Sequence, residues 1–213
     1  MSITLGVFDV FTYTIPGSLY LALLAYISTR FRWVNIAGIW HDNTTLALIV
    51  ATLGSYLIGH ITYNIGRALA RSVRVGQKNI ADARIEFLKR VPAAKDRPFL
   101  QAHRSILQAA VEVRQLDAAL EIIRLRAVGL MLRNSAAAFA LGSIVALVEI
   151  VASNNSAFAA SCCIVLLLAA GGSEWNSARL SHWADMKTLE VAFWIPGIDQ
   201  ELLDRNTHDP KEK

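Results

Sequence analysis

Residues 98–130 read PFLQAHRSILQAAVEVRQLDAALEIIRLRAVGL, and this stretch decides the fold. Apolar residues recur in it at alternating steps of three and four for more than four heptads. They form a seam of Phe99, Ala102, Ile106, Ala109, Val113, Leu116, Leu120, Ile123, Ala127 and Leu130. A seam of this regularity predicts one long amphipathic helix that needs a partner helix along its length.

The preceding segment offers such a partner, because its apolar residues follow the same spacing. They are Leu69, Val73, Gly76, Ile80, Ala83 and Phe87. Between the two segments, residues 91–98 read VPAAKDRP, and the two prolines favour a turn followed by a new helix. We therefore predict an antiparallel helical hairpin, which we call the stalk, over residues 67–126.

The remaining sequence is apolar enough to lie largely in a membrane. Hydrophobic residues make up 54% of the 213 residues, and charged residues make up only 18%. Ordinary soluble domains are about 25% charged. Four apolar segments lie near residues 9–29, 44–66, 133–152 and 156–172. Each approaches the length of about 20 residues that crosses a bilayer. We predict an all-α polytopic membrane protein with four transmembrane helices and a cytoplasmic antiparallel helical hairpin, a coiled-coil stalk.

These elements divide the chain into four parts. The first transmembrane hairpin occupies residues 1–66, the stalk 67–126, the second transmembrane hairpin 127–172 and a cytoplasmic amphipathic tail 173–213. The stalk carries thirteen Lys or Arg against six Asp or Glu, whereas the two connections between spans carry two basic residues in all. Because basic loops stay in the cytoplasm, we expect a multi-pass protein of the cell inner membrane with both termini cytoplasmic.

The first span contains the sequence Ile15-Pro16-Gly17, which we expect to interrupt its helix. A leading segment at residues 8–15 would then precede a regular helix at residues 16–28. The leading segment or the tail could act as a plug. Pro16 is therefore a candidate gate residue.

Two spans carry small residues at every fourth position, which lets another helix approach closely in lipid. They are Ala51, Ser55 and Gly59 in the second span, and Ala138, Gly142 and Ala146 in the third. Two interpretations stay open. The stripes pair the two spans within one subunit, or they form contacts between subunits around a pore.

Polar and ionisable residues within spans are candidates for a pore or gate. Asp9 lies near the predicted cytoplasmic edge, where it could instead cap a helix. His60 and Asn64 share a face one turn apart. Glu149 either contributes to a ring of carboxylates that favours cations or reaches water near the outer turn. The complete set of candidates is Asp9, Pro16, His60, Asn64, Asn134, Gly142 and Glu149.

The stalk has a net charge of +7, from thirteen basic and six acidic residues. This charge either sets topology and contacts anionic lipid, or forms an anion site where stalks meet. Arg71, Arg74 and Lys78 lie within about two turns and are the candidate ligands for a nucleotide or oligonucleotide. Few aromatic residues lie among them, so we expect no base stacking. We also expect no duplex nucleic acid as a partner.

No motif in the sequence indicates catalysis. Cys162 and Cys163 are adjacent in the fourth span, where we expect them to pack, and we expect no metal and no cofactor. Arg97 and His103 have the spacing of an Arg–His pair in a family of helical, metal-independent ribonucleases. Pro98 stands where that family often places Asn or Asp. We interpret the match as chance and predict no catalytic residue and no enzyme activity.

The segment FDVFTYTIPG at residues 8–17 resembles the start of many small bacterial membrane proteins. Short spans around a basic helical cytoplasmic region are similar to the plan of membrane effectors of bacterial anti-phage defence. The resemblance implies a homo-oligomeric ion channel or pore in the lipid bilayer, opened through its cytoplasmic helices by a nucleotide or oligonucleotide signal. A non-conducting membrane scaffold, which recruits a soluble partner through the stalk, is the alternative.

Overall fold

The computed structural model describes residues 3–32, 44–72, 80–152, 156–200 and 202. Over these residues the chain forms helices and no strands, which confirms the predicted all-α class. The helices of eleven residues or more are α1 (Ile3–Arg30), α2 (Thr44–Ser72), α3 (Ile80–Arg90), α4 (Arg104–Arg114), α5 (Leu116–Ala152) and α6 (Ser156–Trp194). Two 3₁₀ turns, Pro92–Ala94 and Pro98–Leu100, lie between α3 and α4.

Four helices in the described ranges are long and apolar enough to cross a membrane, namely α1, α2, α5 and α6. The prediction of four candidate transmembrane helices is therefore confirmed by length and composition. Helices α5 and α6 contain 37 and 39 residues. Since about 20 residues cross a bilayer, each is long enough to extend well beyond one.

The chain divides into two compact units. Unit 1 comprises residues 1–76 and 127–177, and unit 2 comprises residues 77–126 and 178–213. Helices α5 and α6 each contribute residues to both units.

Helix α1 is continuous through Pro16, so the predicted interruption at Ile15-Pro16-Gly17 is wrong. Proline lacks an N–H, which deprives the carbonyl four residues earlier of its helical partner. The Ser18 hydroxyl donates to the carbonyl of Ile15 at 2.8 Å and so gives this region a local hydrogen bond. Pro16 itself is buried, as is Thr12 one turn before it.

Helices α1 and α2 pack closely next to this proline. A Cβ atom at Gly17 would lie 1.7 Å from the carbonyl oxygen of Ser55, and one at Gly59 would lie 1.9 Å from that of Tyr13. The backbones of α1 and α2 can lie this close together only because neither glycine has a side chain. The small-residue stripe of the second span therefore packs on the first span, which neither sequence interpretation included.

The core of unit 2 forms where α3, α4, the first turns of α5 and the end of α6 bring apolar side chains together. Ala83 and Phe87 belong to it, as the outgoing seam predicted. The largest fully buried side chains in this core are Phe87, Phe99, Leu107, Ile122, Leu189, Ile195 and Ile198. Several elements therefore cover these residues, rather than one partner helix.

The return segment is not the single helix that the seam predicted. Helix α4 ends at Arg114, Gln115 has φ −142° and ψ 77°, and α5 begins at Leu116. On either side of this break Val113 is 82% exposed and Leu116 is 63% exposed. The buried positions belong to the neighbouring stripe, which consists of Leu107, Val111, Ala119 and Ile122. The predicted seam is therefore wrong in its centre.

Helix α6 stops at Trp194, directly before Ile195-Pro196-Gly197. Gly197 has φ +75°, a conformation that favours glycine. Near this end of α6 Met186 and Leu189 are buried, whereas Trp183 is exposed, as is Trp175 earlier in the same helix.

Candidate functional site

Three polar side chains, Tyr56, His60 and Asn64, follow one another at steps of four along α2, and all three are exposed in unit 1. Residues at this spacing form one ridge on a helix surface, and we call these three the α2 polar ridge. Its neighbours Leu57 and Ile61 are 60% and 70% exposed. The ridge is therefore a polar line on a surface that is otherwise suited to lipid.

Tyr13 of α1 supports the α2 polar ridge from the side. Its ring centroid lies 6.1 Å from that of Tyr56 and 5.1 Å from that of His60, both in edge-on geometry. Tyr63 completes the cluster at 6.3 Å. Because Gly59 lets the backbone of α1 approach α2, the same contact that joins the helices also brings Tyr13 to His60.

Asn134 of α5, one of the predicted pore residues, is fully buried. Its side chain belongs to a residue that is 1% exposed, and neither Oδ1 nor Nδ2 has a hydrogen-bond partner within the described ranges. Tyr20 of α1 packs against Ala137 and Ala138, one turn further along α5. An unpaired buried polar group costs about 1–3 kcal/mol, so this amide calls for a water molecule or another partner.

Three other predicted pore or gate residues lie in separate places within unit 1. Pro16 is buried near the contact of α1 with α2. Gly142 is buried, and a Cβ atom there would lie 3.3 Å from the side chain of Leu166 on α6. Glu149 accepts hydrogen bonds from Arg30 Nε at 3.1 and 3.3 Å. The structure therefore gives Glu149 a cationic partner that sequence analysis did not identify.

The remaining predicted site residues lie outside what the structure describes. Arg74 and Lys78 fall between α2 and α3, in residues that are not described. Asp9 and Arg71 belong to α1 and α2, but their side chains are not described. The predicted anion site at Arg71, Arg74 and Lys78 therefore stays a prediction.

Unit 2 contains a buried ionic cluster that the sequence did not predict. The carboxylate of Asp185, on α6, lies 2.9 Å from Arg104 Nη2 and 3.5 Å from Arg126 Nη2. Its side chain is only 5% exposed. Arg126 also donates to Gln108 and, at 3.2 Å, to the hydroxyl of Thr188. This cluster joins α4, α5 and α6 through one carboxylate.

A second polar pair in unit 2 joins α3 to α6. The imidazole Nε2 of His182 lies 2.7 Å from Glu86 Oε2, and Arg90 donates to the other carboxylate oxygen at 2.7 Å. The hydrogen bond from His182 is the largest cause that lowers the pKa of the Glu86 carboxyl, and Arg90 adds to it. The ionised form of Glu86 is therefore favoured in the folded protein.

Sequence signals for the missed residues are weak but identifiable. Asp185 lies four residues before the buried Leu189, so a carboxylate on the apolar face of α6 is the signal for an internal ion pair. Tyr13 and Tyr56 lie on different spans, and nothing in either local pattern indicates that they meet.

Comparison with known proteins gave no match to a protein-family model, a curated protein or a solved structure.

Proposed function

We propose that this chain forms a homo-oligomeric ion channel or pore in the bacterial inner membrane, opened through its cytoplasmic helices. The observation that supports the proposal best is the exposure of the α2 polar ridge within a candidate transmembrane helix. Exposed tyrosine, histidine and asparagine are ordinary on the surface of a soluble protein. On a helix surrounded by lipid they are unfavourable, because polar groups in hydrocarbon lack the hydrogen bonds that water gives them.

A symmetric ring of subunits would remove this difficulty. Each copy would turn the α2 polar ridge towards the axis or towards its neighbour, and its apolar side chains towards lipid. A path lined by Tyr56, His60 and Asn64 would be wide enough for water only where several copies meet. Asn134 is buried within the single chain, so it does not line this path; its unpaired amide would suit a buried water molecule.

Gating through unit 2 is favoured by the lengths of α5 and α6. Each helix has residues in unit 1 and in unit 2, and α5 carries both Asn134 and Gly142, so a rearrangement in unit 2 would act on the helix that holds them. The signal that we propose is a nucleotide or oligonucleotide, in keeping with the resemblance to anti-phage effectors. Arg71, Arg74 and Lys78 are the residues proposed to bind it, and in the sequence they flank the boundary between the two units at residues 76 and 77.

The proposal is tested by mass and conductance on one sample. Light scattering of the detergent-solubilised protein should give a defined oligomer, and planar-bilayer recording should give a current that depends on an added oligonucleotide. His60→Leu should lower the single-channel conductance without changing the mass, whereas the matched variant Leu57→Ile should change neither. A monomer that never conducts would contradict the proposal.

The scaffold alternative rests on a different observation. Val113 and Leu116 form an exposed apolar pair in unit 2, at the junction of α4 and α5. If the chain recruits a soluble protein, this pair is the surface that would contact it. A photo-crosslinking residue at position 113 would then capture one defined partner in cells, and a residue at position 121 would not. Equal labelling at both positions would contradict the scaffold.

A further inference from the structure

One end of unit 1 has an apolar groove between α1 and α5, with a volume of about 450 Å³. Its walls are the side chains of Tyr26, Ile27, Phe31, Ile144, Val145, Val148 and Ala152. Arg30 and Glu149 also line it and supply its charge. The groove therefore combines a hydrocarbon-like interior with one cation and one anion.

The two charged groups form an ion pair that leaves capacity for a further contact. Arg30 uses its Nε group for both hydrogen bonds to Glu149, and a guanidinium has five N–H donors. The side chain of Arg30 is 49% exposed and that of Glu149 is 20% exposed. The guanidinium of Arg30 and the carboxylate of Glu149 can therefore both contact a ligand while their ion pair stays intact.

We propose that this groove binds a zwitterionic phospholipid that has a phosphate and a primary ammonium group in its head. An acyl chain would lie against the apolar walls, the phosphate would accept hydrogen bonds from Arg30, and the ammonium would donate to Glu149. A free phosphate fits less well, because Glu149 repels it and the apolar walls would have no partner. The Arg30–Glu149 pair has no net charge, so an anionic lipid without an ammonium would give the site a net negative charge, whereas a zwitterion would keep it neutral.

The location of the pair matches this ligand. Arg30 ends α1, and Glu149 lies in the last turn of α5, so both lie at the end of a candidate transmembrane helix. Lipid headgroups occupy this level of a bilayer. The inference does not depend on conduction, because a channel and a scaffold would both carry the groove.

Lipid retention by the purified full chain tests the inference. Native mass spectrometry would count the molecules that stay bound after adding phosphatidylethanolamine or phosphatidylglycerol, a lipid with a phosphate but no ammonium. Glu149→Gln should lower the retention of phosphatidylethanolamine by about tenfold, the effect of losing one hydrogen bond to a charged group, and should spare phosphatidylglycerol. Arg30→Gln should lower the retention of both lipids, since both have a phosphate.

The two variants separate a lipid site from a merely structural ion pair. If the ion pair is merely structural, Glu149→Gln and Arg30→Gln both break it and should lower the retention of both lipids by the same factor. That result would overturn the proposal. Val148→Trp should fill the groove and lower retention, whereas Val151→Trp, at a position 89% exposed and outside the groove, should not. A Val148→Trp protein that keeps its lipid but loses oligomeric mass would assign the groove to a second copy and also overturn the proposal.

Discussion

Arg97 and Asp199, which are 102 residues apart in the chain, form an ion pair in unit 2 with 2.6 Å between Arg97 Nε and Asp199 Oδ2. The other carboxylate oxygen accepts a hydrogen bond from the backbone N–H of Phe99 at 3.0 Å. Arg97 Nη1 also donates to the carbonyl of Phe193 at 3.1 Å. This pair joins the turn after α6 to the turn between α3 and α4.

Removing the arginine should loosen this junction. We expect Arg97→Ala to lower the free energy of unfolding of unit 2 by about 1–2 kcal/mol, because Asp199 loses its charged donor in a partly exposed setting. Denaturant unfolding followed by tryptophan fluorescence measures the loss. Lys95→Ala, in the same turn and exposed, is the matched control and should change stability by less than about 0.5 kcal/mol. Equal losses in the two variants would refute the role of the pair.

The close contact between α1 and α2 predicts that alanine is tolerated at one glycine of α2 but not at another. Gly59→Ala places a Cβ atom against the carbonyl of Tyr13, so the helices must separate, at an expected loss of about 1–3 kcal/mol. Gly54→Ala on the same helix meets nothing within 4 Å and should be neutral or slightly stabilising. Thermal unfolding of the detergent-solubilised variants distinguishes them. A Gly59→Ala protein as stable as Gly54→Ala would show that this contact does not form.

The Asp185 cluster should be the most sensitive ionic contact in unit 2. Asp185→Asn leaves Arg126 buried beside a neutral group, and we expect a loss of about 3 kcal/mol. The exposed pair of Lys187 with Glu121, 3.3 Å apart, provides the control. Glu121→Gln should lower stability by no more than about 1 kcal/mol. Chemical denaturation in matched buffers compares the two, and similar losses would contradict the importance of burial.

Lowering the pH should remove the contribution that the ionised Glu86 carboxylate makes to folding stability. Its pKa is lowered in the folded protein, so its stabilising effect is present above the ordinary glutamate pKa, roughly 4.3, and is lost as the pH falls through the lowered value. The difference in unfolding midpoint between the wild type and Glu86→Gln should therefore shrink as the pH falls below roughly 4. A difference that grows over that acidic range would have the wrong sign for this contact.

The fold could be predicted from the sequence wherever one pattern dominated. Four apolar segments identified the candidate spans. Residues 91–98 were correctly predicted to lie in a turn after α3, but the next α-helix begins at Arg104 and not at Pro98. The buried stripe around Gln115 could not be predicted, because the return segment is apolar on two adjacent faces. Ile106 and Leu107 are neighbours, as are Ile122 and Ile123, so two registers fit the sequence equally well. The tertiary contact with α6 decides between them.

The candidate site was less predictable than the fold. His60 and Asn64 could be found because polar residues at a four-residue step interrupt an apolar helix. Their support by Tyr13 and the pairing of Glu149 with Arg30 could not, since both depend on which helices lie side by side. Spacing within one helix gives no information about that arrangement.

The central claim is that the α2 polar ridge lines an aqueous path, and current through a single cysteine variant tests it most directly. His60→Cys would be made in a chain whose Cys162 and Cys163 are replaced by alanine. A charged, membrane-impermeant thiol reagent should then reduce its current severalfold and leave Ile61→Cys, the exposed apolar neighbour, unaffected. A His60→Cys current that the reagent leaves unchanged, or an equal block of both variants, would contradict the account.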